Sequence, residues 1–332
     1  MTITKLSDVI IPGTNQGQYA AGIIARKSIQ KSALFRSGII TQINDEAVGL
    51  GLALEKGGKF VNVPFRNPLT GAEQMLNDNN DLVINKFTYG IEIAALNARA
   101  QVYGVTDLAV DFSKDDPMGQ LTDAWSDYWV ERYQVQLINV LNGALGSTGM
   151  AGNGTDVSGT SGAGGVISAG GFVAASRKLG DQSSRLVAIS MHSAVMTALI
   201  LQDLIVYIPG SDQGALIPTY MGKEVIEDDG MPYDPATGIA TMYLFARGAI
   251  AFQEGLPKVA AEVDRASLTN GGQEWMVSRK RYLMHPRGLA WNTAATTADP
   301  TPNNAELATT TNWTPVISPK EIGIVKYRFR VA

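Results

Sequence analysis

The 332-residue chain reads as an α+β fold, and three observations carry that reading. One uninterrupted amphipathic helix pattern covers 116–143. Short apolar runs alternate with helical stretches over 171–254. Runs of β-favouring residues with turn chemistry fill 59–89 and the last third, 255–332. Composition agrees with a large folded chain: 45% of residues are hydrophobic and 17% charged, enough for a sizeable core under a charge-poor surface. Such a surface suits contact with other protein. The net charge of −4 argues against a surface that grips nucleic acid throughout. The absence of cysteine excludes disulfide scaffolds and thiolate metal sites. The first residues lack the basic-then-apolar layout of a signal peptide, and no apolar run reaches the length of a membrane span.

Residues 1–41 carry Lys5, Arg26, Lys27, Lys31 and Arg36 against a single acid, Asp8. The segment reads either as a tail with a short helix over 19–32 or as a basic arm laid across another subunit or a polyanion. Residues 59–89 read as a long hairpin. Phe60, Val61, Val63 and Phe65 lead out, Asn67-Pro68-Leu69-Thr70-Gly71 is turn chemistry, and Val83, Ile84, Phe87 and Tyr89 return as a strand. A hairpin of this length is marginal alone and needs a surface to lie on. The alanine-rich stretch 91–110 is expected to be a helix interrupted at Gly104.

In the helix over 116–143, Asp116 is a suitable cap, Pro117 fits the first turn and Gly143 is the expected stop. Trp125, Tyr128, Trp129 and Tyr133 share one broad face. Asp123, Asp127 and Glu131 stack at i, i+4 on the other, as a solvated acidic face or as a rail that meets basic residues. Leu137, Ile138, Val140 and Leu141 surround the axis, so this end should enter the core, while the aromatic stretch should support the sheet. The glycine-rich run 143–171 reads as a mobile loop. It matches neither the P-loop nor the dinucleotide fingerprint.

Beyond it, 172–179 reads as a short helix, 186–190 as a buried strand and 192–203 as a helix. Strands follow at 205–209, 224–227 and 241–245, with Glu227-Asp228-Asp229-Gly230 as an acidic turn. Strands at 259–264 and 274–285 flank the hairpin turn Asn270-Gly271-Gly272. Residues 293–319 read as a polar loop, and 322–330 alternates as a closing strand.

Chemistry is sparse. Ser190, His192 and Ser193 lie close in sequence without a nucleophile elbow, so His192 reads as a polar residue at a helix start and His285 as structural. Two separated histidines make no zinc signature, and consecutive acids do not match calcium-loop spacing. Asn153-Gly154-Thr155 and Asn312-Trp313-Thr314 match the glycosylation pattern without a secretory signal. No catalytic residue, cofactor or metal is predicted.

The order of these segments resembles the major capsid proteins of tailed bacteriophages with the Hong Kong 97 fold. The resemblance rests on 19–39 with Lys31-Ser32 and Ser37-Gly38-Ile39, on Val61-Asn62-Val63-Pro64-Phe65, and on Asp115-Asp116-Pro117 before the Trp/Tyr-rich helix. It continues through Val225-Ile226-Glu227-Asp228-Asp229, Tyr243-Leu244-Phe245 and Gly248-Ala249-Ile250, then Glu262-Val263-Asp264-Arg265, Arg279-Lys280-Arg281 and His285-Pro286-Arg287 to Trp291. It ends at Asn312-Trp313 and Ile322-Gly323-Ile324-Val325. It implies an N-terminal arm at 1–52 and an E-loop hairpin at 53–90. A P-domain would follow at 91–170, with spine helix 116–143 and the glycine-rich loop. An A-domain at 171–254 and returning P-domain strands with the closing strand at 255–332 would complete the chain.

By the same resemblance the chain would self-assemble in the host cytoplasm into hexamers and pentamers of an icosahedral shell. The shell would enclose double-stranded DNA by non-specific contact and meet a portal and scaffolding or decoration proteins, without a membrane. The subunit-contact candidates are Arg26, Lys27, Lys31, Arg36, Phe65, Pro68, Asp123, Asp127, Glu131, Asp228, Asp229, Arg279 and Arg281. Lys59 and Lys86 sit away from the expected hairpin tip, so no covalent crosslink is expected, and no long charged leader precedes the arm as an internal scaffold. The alternatives are an encapsulin-type compartment shell and a Ser/His hydrolase.

Overall fold

Alternation, not helical period, governs the stretch after the hairpin. The structure, a computed structural model, describes residues 39–42, 58–69, 71–76, 81–113, 117–209, 216–255, 257–295 and 300–331. In it β1 is Ile40–Gln42, β2 Phe60–Arg66 and β3 an 18-residue strand, Tyr89–Thr106. The helix expected over 91–110 is therefore corrected to a strand. β3 is hydrogen-bonded on both sides, to β2 (Phe60 opposite Ala95) and to β13, Gln273–Pro286 (Tyr282 opposite Asn97). Two ladders outweigh the helix preference of alanine. Ala94 and Leu96 pack with Val61 and Leu283 on one face, while Ala95 joins the main core on the other. Gly104 is no interruption but a close approach: a Cβ there would lie 2.8 Å from the Glu274 carbonyl oxygen.

The returning strand expected at 83–89 is also corrected, because regular pairing starts only at Tyr89. Between the two strands the chain is held by Asn67 N–H to Thr88 O at 3.0 Å. Gln74 adds a reciprocal pair, accepting from Val83 N–H at 2.7 Å and donating to Val83 O at 2.8 Å.

A short helix, α1 (Asp107–Ser113), follows β3, and then α2, Pro117–Gly146. At 1.5 Å per residue α2 is on the order of 45 Å long. Pro117 opens it as expected, whereas the expected cap Asp116 and the helix at 19–32 lie outside the described residues. Gly143 does not stop α2. It lies inside the helix where a Cβ would come 2.1 Å from Leu307 O and 2.6 Å from Trp313 Nε1.

Along its first half α2 packs on the six-stranded sheet, whose order is β1-β11-β13-β3-β2 with β12 also on β13. Here β11 is Ile250–Gly255 and β12 Ala261–Ala266. Trp129 Nε1–H donates to Ser278 Oγ at 2.9 Å, and Tyr133 meets Tyr282 edge-on at 4.5 Å. Its second half enters the core: Leu137, Val140 and Leu141 are fully buried beside Tyr243 and Phe245. Each such side chain contributes roughly 1.5–3 kcal/mol. The Tyr243 hydroxyl donates to Asn142 Oδ1 at 2.8 Å.

The glycine-rich run is corrected from mobile loop to ordered segment. It forms a 3₁₀ turn (Thr148–Asn153), β4 (Gly154–Asp156) and a second turn (Gly162–Gly165). Its backbone is pinned by neighbours. Asn153, 1% exposed, donates to the carbonyls of Pro319, Ile322 and Ile324. Arg330 donates to Thr160 O at 2.6 Å and Gly162 O at 3.0 Å.

The α/β stretch forms in the order read, with two strands, at 216–220 and 233–234, that the sequence reading did not include and a first helix that starts three residues earlier. Helix α3 is Ala169–Ser176, β5 Leu186–Met191, α4 Ser193–Leu201, β6 Ile205–Pro209, β7 Leu216–Tyr220 and β8 Lys223–Glu227, followed by β9 (Tyr233–Asp234) and β10 (Ile239–Ala246). With the closing strand β16 (Ile324–Arg330) they make an eight-stranded sheet ordered β4-β16-β10-β5-β8-β7-β6, with β9 on β10. One face of this sheet, through Ile189, Leu244, Tyr327 and Phe329, packs on α3 and α4. The other face, through Tyr243, Phe245, Ala188 and Ile226, belongs to the core around α2. The expected turn at Asn270-Gly271-Gly272 is present, with φ of 53°, 76° and 101°. The loop expected over 293–319 is corrected in part. It holds α5 (Asn304–Ala308), closed by a capping box between Asn303 and Glu306, and β15 (Trp313–Pro315), which pairs with β14 (Leu289–Trp291).

Candidate subunit-contact surfaces

The charge pattern of α2 comes from its sequence spacing, but its neighbours decide what each charge meets. Glu131 is engaged locally by Arg132, whose guanidinium carbon also sits 5.4 Å from the centre of the Tyr128 ring. Asp127 is half-buried, and the side chain of Asp123 lies outside the described residues. So do the basic candidates Arg26, Lys27, Lys31 and Arg36, and with them any basic partner that the arm would bring to the acidic face.

On the six-stranded sheet, Arg279 places both Nη atoms 3.0 Å from Glu262 Oε2, a cross-strand pair between β13 and β12. Arg281 is half-buried opposite Gly255. Phe65 lies over Gly90 on the neighbouring strand, and Pro68 is exposed.

Asp228 and Asp229 occupy the turn after β8. Asp228 Oδ1 accepts from Gly230 N–H at 2.9 Å and from the Gln134 side chain of α2. Burial raises its carboxyl above the ordinary aspartate range despite these donors. Asp229 is exposed, with Oδ1 3.9 Å from His192 Nε2.

The histidines are structural. His192 Nδ1 accepts from Ala194 N–H at 3.0 Å and so caps α4; Ser193 Oγ approaches the same nitrogen only at 3.4 Å. Ser190 is buried and donates to Met231 Sδ. His285, 2% exposed, directs Nε2 at Leu289 O (2.8 Å) and Glu92 Oε1 (3.2 Å). Among the described residues no group of three or more His, Cys, Asp or Glu is placed to hold a metal ion, and no helix is long and apolar enough to cross a membrane.

Two surface features among the described residues are apolar. In the excursion between β2 and β3, Met75 is 88%, Leu76 85% and Ile84 95% exposed, with Leu69 and Phe87 beside them in sequence. Single exposed hydrophobics are ordinary, but a whole segment of them marks an interaction surface. The second feature was missed by sequence reasoning. The β6–β7 ribbon exposes Val206, Tyr207 and Ile208, and the neighbouring Leu201 at the end of α4 is 83% exposed. A short apolar run reads the same whether a sheet covers it or it overhangs, so composition gave no signal.

Comparison with known proteins follows this geometry. Residues 120–323 match the family model described as Gp13-like, major capsid protein 13-like. The chain is 39% identical to the major capsid protein of Bacillus phage SPP1 over 334 residues, covering 100% of this chain and 99% of that protein. Among solved structures, the capsid of the native GTA particle superposes with a TM-score of 0.51 at 12% identity over 90% of each chain. The Cyanophage Pam1 capsid does so at 0.50 and 12% identity, over 84% of this chain and 87% of that one. At that identity the two structures speak for the fold, which is the Hong Kong 97 type.

Proposed function

This chain belongs to the Gp13-like major capsid protein family, and on that premise we propose that its apolar excursion at 67–88 is the grip by which one copy holds the next. The chain is a phage major capsid protein and forms the virion capsid. The alternative of an encapsulin-type compartment is the less favoured one, because the 39% identity over the full length is to a phage protein. Relatives of this kind build shells from many copies, and the contacts that do so here follow from the exposed surfaces.

The observation that carries the reading is the overhang itself. Met75, Leu76 and Ile84 stand in water on a segment whose described residues form no strand. Covering them on a second copy would contribute about 25 cal/mol per Å² of apolar surface, less the cost of ordering. The six-stranded sheet with the first half of α2 then serves as the P-domain at capsomer edges. The eight-stranded sheet serves as the A-domain at capsomer centres, where the β6–β7 ribbon meets its equivalents in hexamers and pentamers. Phe65 and Pro68 support the base of the grip. The remaining charged candidates, Asp229 and Arg281 among them, act at the polar rim of these contacts, each pair worth ~0–1 kcal/mol. Packaged double-stranded DNA is held by local, non-specific contact, consistent with a net charge of −4, and portal, scaffolding and decoration proteins are the further partners. The protein works as a structural component with no catalytic step.

The test is an Ile84→Asp/Leu76→Asp double variant produced alongside wild type and viewed by negative-stain microscopy. A folded protomer that no longer yields isometric shells is the expected result. Shells at wild-type yield would remove the excursion from the assembly contacts.

A further inference from the structure

The dipeptide Asn-Gly occurs three times in the chain, at 142–143, 153–154 and 270–271. It is prone to one side reaction, in which the glycine nitrogen attacks the asparagine Cγ and closes a five-membered ring. Glycine puts no side chain in the way of that attack. The fold treats the three copies differently. Asn142 lies within α2, where its Oδ1 accepts from the Tyr243 hydroxyl at 2.8 Å and Gly143 is pressed against Leu307 and Trp313. Asn153 is 1% exposed, and its Nδ2 is held by the carbonyls of Pro319, Ile322 and Ile324. Neither side chain turns its Cγ onto the next nitrogen without breaking these contacts.

Asn270 is placed the other way. It is exposed at the tip of the β12–β13 hairpin, close to Leu268, which is 98% exposed. Positive φ at Asn270 and Gly271, with Gly272 N–H donating to Thr269 O at 3.0 Å, makes a turn of the I′ type. Gly271 N–H, which belongs to the attacking nitrogen, donates to no described residue. One hydrogen bond holds the side chain, Asn270 Nδ2–H to Gln273 Oε1 at 3.0 Å. Among the described residues β12 pairs with β13 alone, so the hairpin tip opens at little cost.

We propose that Asn270 is a site of self-modification: in the folded protein it loses its amide and becomes aspartate or isoaspartate. The Gly271 nitrogen bonds to Asn270 Cγ as the Cγ–Nδ2 bond breaks, and the proton from the Gly271 nitrogen departs with Nδ2 as ammonia. Water then opens the ring at either carbonyl, giving aspartate from one and isoaspartate from the other. Water is the one co-reactant, and nothing is oxidised or reduced. Either product changes the turn. Aspartate replaces the donor that faces Gln273 Oε1 with an acceptor. Isoaspartate lengthens the backbone by a methylene shortly before Gly272. That glycine seats the neighbouring helix: its carbonyl accepts from Asp107 N–H at 3.0 Å at the start of α1, and its Cα lies too close to the Asp107 carboxylate to carry a Cβ. Isoaspartate at 270 therefore loosens the start of α1 together with the hairpin tip. The inference rests on this turn and stands or falls independently of which surfaces join neighbouring copies.

The test ages the purified full-length protein at mildly acidic and mildly alkaline pH and maps the three sites by peptide mass spectrometry, with aspartate and isoaspartate products resolved by retention. The attacking nitrogen must lose its proton, so conversion at 270 should rise with pH. In native buffer 270 should convert more than roughly tenfold faster than 142 and 153, because loop tips open almost freely while core residues open only with the fold. In urea the three rates should converge. Asn270→Gln, whose longer side chain disfavours the five-membered ring, should stay unmodified at 270. Hydrogen exchange on the aged protein should quicken in peptides covering 107–113 and 266–273 and stay unchanged in β5. Conversion at 270 no faster than at 142 and 153 in the folded protein overturns the proposal, as does conversion that begins only in urea. Unchanged exchange at 107–113 once 270 is fully converted would remove the link to α1.

Discussion

Replacing Gly143 by alanine sets two rules against each other. In an exposed helix interior the change should stabilise by about 1 kcal/mol, because glycine loses more backbone freedom than alanine. At this position the new methyl would lie 2.1 Å from the Leu307 carbonyl oxygen and 2.6 Å from Trp313 Nε1. Those two atoms are bonded to each other, Trp313 Nε1–H donating to Leu307 O at 2.8 Å, so the methyl intrudes on a buried hydrogen bond. Overpacking costs about 1–3 kcal/mol and loss of such a bond about 1 kcal/mol. Because the obstruction is backbone, the upper end applies, and the net destabilisation is about 3 kcal/mol. At roughly 2 °C per kcal/mol for a chain of this size, the melting midpoint should fall by about 6 °C. Gly152→Ala is the control, with nothing within 4 Å of its Cβ, and should move the midpoint little. Differential scanning calorimetry on both proteins decides the matter. A Gly143→Ala midpoint at or above wild type would mean that helix propensity governs and that the α2–α5 approach is looser than described.

Other expectations follow from the same contacts. Trp129→Phe leaves Ser278 Oγ unpaired under α2 and should cost about 1–3 kcal/mol in chemical unfolding, with Ser278→Ala in the same chain recovering part of it. Arg330→Ala removes the donor to Thr160 and Gly162 and should expose 157–165 to limited proteolysis while the sheet strands stay protected. Asp156 is held below the ordinary aspartate range: burial opposes this, but hydrogen bonds from Ser158 and the nearby Arg328 outweigh it. Its contribution is therefore present above about pH 4 and lost as pH falls through its folded value. Because Asp156 is half-exposed, Asp156→Asn should cost only ~0–1 kcal/mol at neutral pH, and its deficit against wild type should vanish in urea titrations at low pH.

Much of the fold was legible where one local signal had one structural solution. The apolar run of β5, the turn at Asn270-Gly271-Gly272 and the alternation of β16 each point to one local structure. The aromatic face of α2 required a sheet to cover it, and the six-stranded sheet does so through Ser278 and Tyr282. His192 was readable as a cap because nothing nearby in sequence could make it a base. The contact candidates were less legible. Charges such as Glu131 and Arg279 point outward in any amphipathic pattern, and only the fold reveals that each already has a partner within its own subunit.

By itself, the sequence determined the identity of the long helix, the order α3, β5, α4, β6, β8, β10 and the family pattern those segments compose. Its signals there are short-range: periodicity, caps and turn residues act over a few neighbours. Tertiary structure alone decided the rest. Alanine-rich 89–106 became a strand because β2 and β13 supply ladders on both of its edges. The glycine-rich run became ordered because Arg330 and buried Asn153 hold its path from far along the chain or tie it to distant carbonyls. Gly143, which ends a helix by local rules, stayed inside α2 because Leu307 and Trp313 press too close for any side chain. In each case at least one deciding partner lies more than a hundred residues away in sequence, at a distance that only the folded chain sets.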